Sequence, residues 1–322
     1  MIAAVLLSLI AGFNQVKAMG LAWQEEHYLP RLERVAAGEA GSPWQYRVLS
    51  DYAALGAVRT AEAAGVPRAA GVTFVAIRVA QNVAIFLLLF GYMRALGIGA
   101  YAALLGMMAL AWAMTQANYN SDLAINTYSD VLFYLLAGWC VVRRLAWPVL
   151  PITMLAALNR ETSGLIPVML LAAAYYWPQG RERASAVRWG AASLAAWAVV
   201  FVGLRLWFGA RGWEVHPSGT EQGIALLWYN LSFDRSWAHL AGTFSILPVL
   251  AWLGWRGAPD ALRAFAVALL PVWITVHFLY SAVAETRLFL VPLVVVVIPL
   301  AMLAVQRLPE GEAAPVHLES TP

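Results

Sequence analysis

Residues 155–171 read "LAALNRETSGLIPVMLL", and at their centre Arg160 and Glu161 stand between two apolar runs. An arginine presents a planar fork of donors that grips a phosphate or a carboxylate through two parallel hydrogen bonds. A carboxylate can take a proton from a hydroxyl. Further ionisable residues sit where apolar sequence begins: Asp130 ahead of "VLFYLLAG", Glu285 and Arg287 ahead of "LFLVPL", and Glu25, Glu26 and His27 after the first apolar run. Arg47 follows them in "SPWQYRVL". Arginines suited to a phosphate or pyrophosphate, a carboxylate suited to a base, and lipid alongside suit transfer chemistry on a lipid-linked phosphate.

The elements that would position these groups are membrane helices. Of 322 residues, 61% are hydrophobic and only 12% charged, with a mean hydropathy of +0.67. Ordinary globular domains are about a quarter charged. Apolar windows predict an all-α polytopic bundle of about ten membrane segments, at 2–22, 70–96, 98–116, 130–142, 145–158, 164–178, 187–208, 238–255, 262–281 and 287–306. A signal peptide ending near "VKA" competes for the first of these. Residues 1–307 are expected to form one transmembrane domain, and 308–322 a short polar cytoplasmic tail. The net charge of +3 is explained by membrane topology and anionic ligands, with no nucleic-acid partner. The single cysteine, Cys140, excludes an intramolecular disulfide.

Orientation follows from the arginines. Arg94, Arg143, Arg144, Arg181, Arg183, Arg188, Arg256, Arg263 and Arg307 fall in short turns on one side, which the positive-inside rule makes cytoplasmic, together with both termini. The longer loops at 24–69, 117–130, 209–237 and 282–287 then face outward and carry the function. In the first, "HYLPRLERVAAGE" and "SPWQYRVLSDYAALGAVRTAEAAG" predict two amphipathic helices lying in the interface, the second opened by Ser42 and Pro43.

Residues 145–158 and 164–177 flank "NRETSG". At about 1.5 Å per residue, neither run crosses a hydrocarbon core roughly 30 Å thick. Two short helices are therefore expected to meet below the outer surface, at the floor of an outward-facing pocket. A plain Arg–Glu clamp between helices is the competing reading. Arg78, Gln81 and Asn82 share one helix face, which must turn into the bundle because an arginine facing lipid is costly. An interhelical hydrogen-bond clamp is the leading reading of that face. His277 and Tyr280 repeat the pattern weakly, with a satisfied buried histidine as the default. Asp122, Asp234 and Arg235 read better as solvated loop charges.

The layout resembles the GT-C membrane glycosyltransferases, which use polyprenyl-phosphate sugars on the non-cytoplasmic side. The likeness runs through "WQEEHYLPRLERVAAGE" and "SPWQYRVLSDYAAL", then "YSDVLFYLLAGWCVVRR", "LAALNRETSGLIPVMLL" and "AETRLFLVPLVVVVIP". It departs from the family in carrying "EE" where aspartate is usual. The resemblance implies an inverting transfer in a bacterial inner membrane, with Glu26, or Glu25 in its place, as base. It further implies Arg160, Arg287 and Arg47 on the lipid phosphate, and Asp130, Glu161 and Glu285 holding sugar hydroxyls or orienting the arginines. The implied partners are a polyprenyl-phosphate-linked sugar, the bilayer, and a glycan, lipid or protein acceptor. No cofactor is implied, although Glu25, Glu26 and His27 could contribute to a divalent-metal site. A transporter or lipid flippase, and another membrane transferase or polymerase of envelope polysaccharide, are the alternatives.

Overall fold

The computed structural model describes residues 1–118, 124–214 and 219–307; Asp122 and the tail 308–322 lie outside the described residues. The chain opens with α1 (Ile2–Met19), α2 (Leu21–Trp23), a π-helical turn (Gln24–Tyr28), α3 (Leu29–Ala37) and α4 (Val48–Ala63). It continues through α5 (Ala69–Ala95), α6 (Ala100–Gln116), α7 (Ile125–Val142), α8 (Val149–Ala157), α9 (Leu165–Tyr175) and α10 (Arg181–Phe208). The last third holds α11 (Ile224–Ser232), α12 (Asp234–Phe244), α13 (Leu247–Gly254), α14 (Asp260–Tyr280), α15 (Leu290–Pro292) and α16 (Ile298–Val305). The described residues contain no strand, only an isolated bridge between Ser42 and Trp213.

This is an all-α integral membrane protein. Five helices are long and apolar enough to cross a bilayer: α5, α7, α10, α14 and the continuous run Thr286–Val305. The number rises to seven if each of two bent pairs is one span, Ile2–Ala18 with Leu21–Ala37 and Asp234–Phe244 with Leu247–Gly257. The second pair breaks at Ser245, whose left-handed φ of 47° no helix accommodates.

Several helix starts differ from the sequence expectation, among them α10, which begins at Arg181 rather than 187. The fourth apolar segment begins at Ile125 rather than 130, because Asn126, Tyr128 and Ser129 find polar partners inside the bundle and the helix extends through them. Asp130 is therefore the sixth residue of α7 and fully buried, not a residue at its mouth. In the loop after the first apolar segment, Ser42 and Pro43 open a 3-10 turn, Trp44–Tyr46, and α4 starts only after Arg47. Only α3 shows the expected amphipathic stripe, burying Leu32 and Val35; α4 buries Ser50 and Asp51 together with Ala54, Leu55 and Val58. Leu32, Ala54, Leu55 and Val58 form a small second core with Tyr28, Ala70, Phe74 and Ile125, so the loop is docked on the bundle.

The run Thr286–Val305 is the axis of the main core, with 94% of its apolar window buried. Two prolines interrupt its hydrogen bonding. Pro292 has no N–H for the carbonyl four residues back, and the Trp273 indole donates to that Leu288 oxygen at 2.9 Å. Pro299 likewise leaves Val295, whose carbonyl accepts the Tyr92 hydroxyl at 2.8 Å. Neighbouring helices thus supply what the prolines remove, as a water-free interior requires. Against α16, α13 approaches so closely that a Cβ on Gly254 would stand 1.9 Å from the Leu300 carbonyl oxygen.

Candidate functional site

The site is built at the junction of α8 and α9. After α8, Arg160 takes an extended conformation (φ −155°, ψ 145°), and a 3-10 turn, Glu161–Gly164, leads into α9. Ser163 holds that turn by donating its hydroxyl to the Arg160 carbonyl at 2.6 Å. The end of α8 is tied to the start of α4 by the Leu49 N–H, which donates to Leu158 O at 3.0 Å. That tie brings Arg47, at the start of α4, over Glu161. Its guanidinium forks onto the carboxylate, Nη2 to Oε1 at 2.7 Å and Nε to Oε2 at 3.4 Å.

Arg160 and Asp130 form a second pair behind the first. Arg160 is 4% exposed and Asp130 wholly buried, with Nη1 3.9 Å from Oδ2, an electrostatic contact rather than a hydrogen bond. The Thr162 hydroxyl donates to Asp130 Oδ2 at 3.3 Å, and Tyr134, one turn along α7, donates to the Thr162 carbonyl at 2.5 Å. Among the described residues, Arg160 Nε and Nη1 and Asp130 Oδ1 have no hydrogen-bond partner. A buried guanidinium with two uncommitted N–H groups is costly to keep, and an anion would satisfy it.

Other charges face this centre. Arg287 opens the run Thr286–Val305 and pairs with Glu285 at 2.7 Å. Arg160 lies within electrostatic reach of Arg47, Asp130, Glu161 and Arg287. Of the eight candidate residues from sequence, the structure thus brings Arg47, Asp130, Arg160, Glu161, Glu285 and Arg287 into one neighbourhood.

Glu25 and Glu26 form no ion pair with these groups among the described residues. Both lie in the π-helical turn; Glu25 pairs with Arg68 at 3.5 Å, and Glu26 is exposed. His27 stacks on Trp23 with ring centroids 4.8 Å apart. Among the described residues, no three His, Cys, Asp or Glu side chains gather closely enough to hold a metal ion. Asp234 and Arg235 are exposed at the start of α12, and His277 is buried with Nδ1 2.8 Å from the Trp273 carbonyl.

A cavity of ≈ 400 Å³ adjoins the ionic centre, lined by Glu161, Thr162, Gly164, Leu165, Trp197, Phe201, Val272, Trp273, Val276 and His277. Its walls belong to α10 and α14, which both pack on α9. Its polar end is Glu161, Thr162 and His277, and the rest is aromatic and aliphatic. Val272 is exposed on the outer flank, so the cavity reaches the lipid-facing surface.

Sequence reasoning passed over several of these residues. Tyr134 was available from spacing, four residues after Asp130 on the same helix face. Arg205 was available as an arginine inside apolar α10; it stacks on Phe201 at 3.5 Å and Tyr46 at 4.5 Å, within reach of Glu161. Of a polar seam behind the site, only the inward face of Arg78, Gln81 and Asn82 was legible in sequence. There Ser50 bonds Asn159 and Ser129, Asn159 donates to the Asn126 carbonyl at 2.8 Å, and Gln81 donates to Ser129 at 2.9 Å. Arg78 lies 3.4 Å above the Tyr128 ring in the same seam.

No family model, no curated protein and no solved structure matches the chain.

Proposed function

From this ionic centre and the cavity beside it, we propose that the protein is an inverting membrane glycosyltransferase of GT-C-like architecture. Its donor is a polyprenyl-phosphate-linked sugar, and transfer takes place on the side of a bacterial inner membrane facing away from the cytosol. Counting the shorter α6, α8 and α9 as segments that enter the membrane alongside the seven longer or bent spans gives ten. The observation that carries the proposal is Arg160, a buried guanidinium with two uncommitted N–H groups beside an apolar cavity that reaches the lipid.

In this reading the acceptor hydroxyl oxygen attacks the anomeric carbon. The bond from that carbon to the phosphate oxygen breaks, and the lipid phosphate leaves with the electron pair. Arg160 and Arg287, assisted by Arg47, stabilise the charge developing on that phosphate in a water-poor site. The acceptor's proton passes to a carboxylate. Asp130 Oδ2 is engaged by Arg160 and Thr162, and Glu161 by the Arg47 fork, so both carboxylates already hold partners. Glu26, exposed in the π-helical turn, is the proposed base, with Glu25 behind it. The apolar cavity suits the isoprenoid tail.

Glu26→Gln should lower transfer of radiolabelled sugar from polyprenyl phosphate by about 100-fold or more, with folded yield unchanged. Full activity in the Glu25→Gln/Glu26→Gln protein removes the base. Arg160→Lys, which loses the fork, should weaken donor binding by about tenfold; an unchanged donor affinity returns Arg160 to a helix clamp. A lipid flippase is the second reading, favoured by the polar seam running from Ser50 to Gln15, whose Nε2 donates to Tyr128 at 2.5 Å. Flux across proteoliposomes with no covalent product would select it.

A further inference from the structure

The helices that begin at the ionic centre end at a second polar hollow. From Asp130, α7 runs away to Arg143 and Arg144, and from Glu161, α9 runs to Trp177 and the turn into α10. Between these two turns lies a cavity of ≈ 280 Å³, lined by Arg144, Leu145, Ala146, Trp147, Trp177, Arg181, Glu182, Ser185 and Trp189. At about 30 Å³ per water-sized group it holds roughly nine of them, the scale of a phosphodiester with its glycerol arms.

We propose that this hollow binds the headgroup phosphate of an anionic phospholipid from the surrounding leaflet. The charge is suitable. Arg144 and Arg181 line the hollow, with Arg143 and Arg183 next to them in sequence, against the single carboxylate of Glu182. Arg144 pairs with Glu182 at 3.2 Å, but the two side chains are 54% and 61% exposed. So exposed a pair contributes little, and exchanging the carboxylate for a phosphate costs little. The first-turn N–H groups of α10 lie at the same mouth and favour an anion there.

The surroundings select a lipid over a free phosphate. Trp177 and Ala146 are buried and form the floor, while Trp147 and Leu145 are exposed at the rim beside the protruding Tyr175 and Tyr176. Exposed tryptophan and tyrosine at the end of a bundle mark the headgroup level of a bilayer. Only 6% of the apolar window of α10, which rises from the hollow, is buried, so acyl chains have an open flank to lie along. Basic pockets between membrane helices are a recurring headgroup site.

The full chain in an uncharged detergent, titrated with phosphatidylglycerol, phosphatidylcholine and inorganic phosphate while bound lipid is counted by native mass spectrometry, tests this. Phosphatidylglycerol should bind at least tenfold more tightly than phosphatidylcholine. The Arg144→Gln/Arg181→Gln protein should lose at least tenfold of that affinity, and Glu182→Gln, which removes the competing carboxylate, should gain several-fold. Equal binding of the two lipids, or unchanged phosphatidylglycerol affinity in the double variant, overturns the proposal. So does displacement of phosphatidylglycerol by millimolar inorganic phosphate, which would assign the hollow to a free anion. If the double variant does not fold, Glu182→Gln decides alone, because a carboxylate with only a structural role would leave lipid binding unchanged or weaker.

Discussion

Arginine meets carboxylate at both ends of this bundle, in opposite surroundings. At the α8–α9 junction the Arg160–Asp130 pair is 4% and 0% exposed; at the far end the Arg144–Glu182 pair is 54% and 61% exposed. Composition does not distinguish the two pairs, and burial does. Taking charges out of water costs several kcal/mol per ion, which a 3.9 Å contact without a hydrogen bond recovers only in part. Charges in water cost nothing to keep and gain little from pairing. The far-end pair can therefore open for a ligand without loss. The buried pair is a standing expense, which the proposed lipid phosphate would offset.

The largest effect should come from breaking the buried pair. Arg160→Met leaves the Asp130 carboxylate uncompensated, and thermal unfolding in detergent should show a loss of about 3–5 kcal/mol. Adding Asp130→Leu should restore most of it, since the second change removes the stranded charge. A single variant as stable as the wild-type protein would mean that the buried pair behaves like the exposed one, and the contrast between the two ends would collapse.

The same contrast explains what could be read in sequence. Apolar windows located α5, α14 and the run Thr286–Val305 closely, because hydrocarbon thickness acts on local composition. The Arg160–Glu161 interruption was legible too, since a charged turn between two short apolar runs has few other uses. The Arg47–Glu161 fork was not, because its partners are 114 positions apart and meet only through the backbone tie between α4 and α8. Helix starts were misjudged where polar residues continue a buried helix, as Asn126 to Ser129 do in α7. Hydropathy counts such residues as loop, but Gln81 of α5 and Asn159 of the turn after α8 supply them with partners.

A buried group without charge separates burial from electrostatics. Tyr92 is fully buried, and its hydroxyl is the donor to the Val295 carbonyl that Pro299 leaves free. Tyr92→Phe keeps the ring and strands that carbonyl, which should cost about 1–3 kcal/mol in thermal unfolding. The loss should fall between those for the two ion pairs and should not respond to salt. A Tyr92→Phe protein of unchanged stability would show that Val295 finds another donor when the backbone relaxes.

The smallest effect belongs to the far end. Glu182→Gln breaks an ion pair that water already solvates, and α10 keeps its remaining first-turn contacts. Without added lipid, its unfolding midpoint should correspond to a change of no more than about 1 kcal/mol, and raising the salt concentration should erase even that. A loss comparable with that of Arg160→Met would place Glu182 inside the packing of the turn. The Arg144 guanidinium would then be committed to the fold, leaving nothing at this end free to exchange its carboxylate for a phosphate.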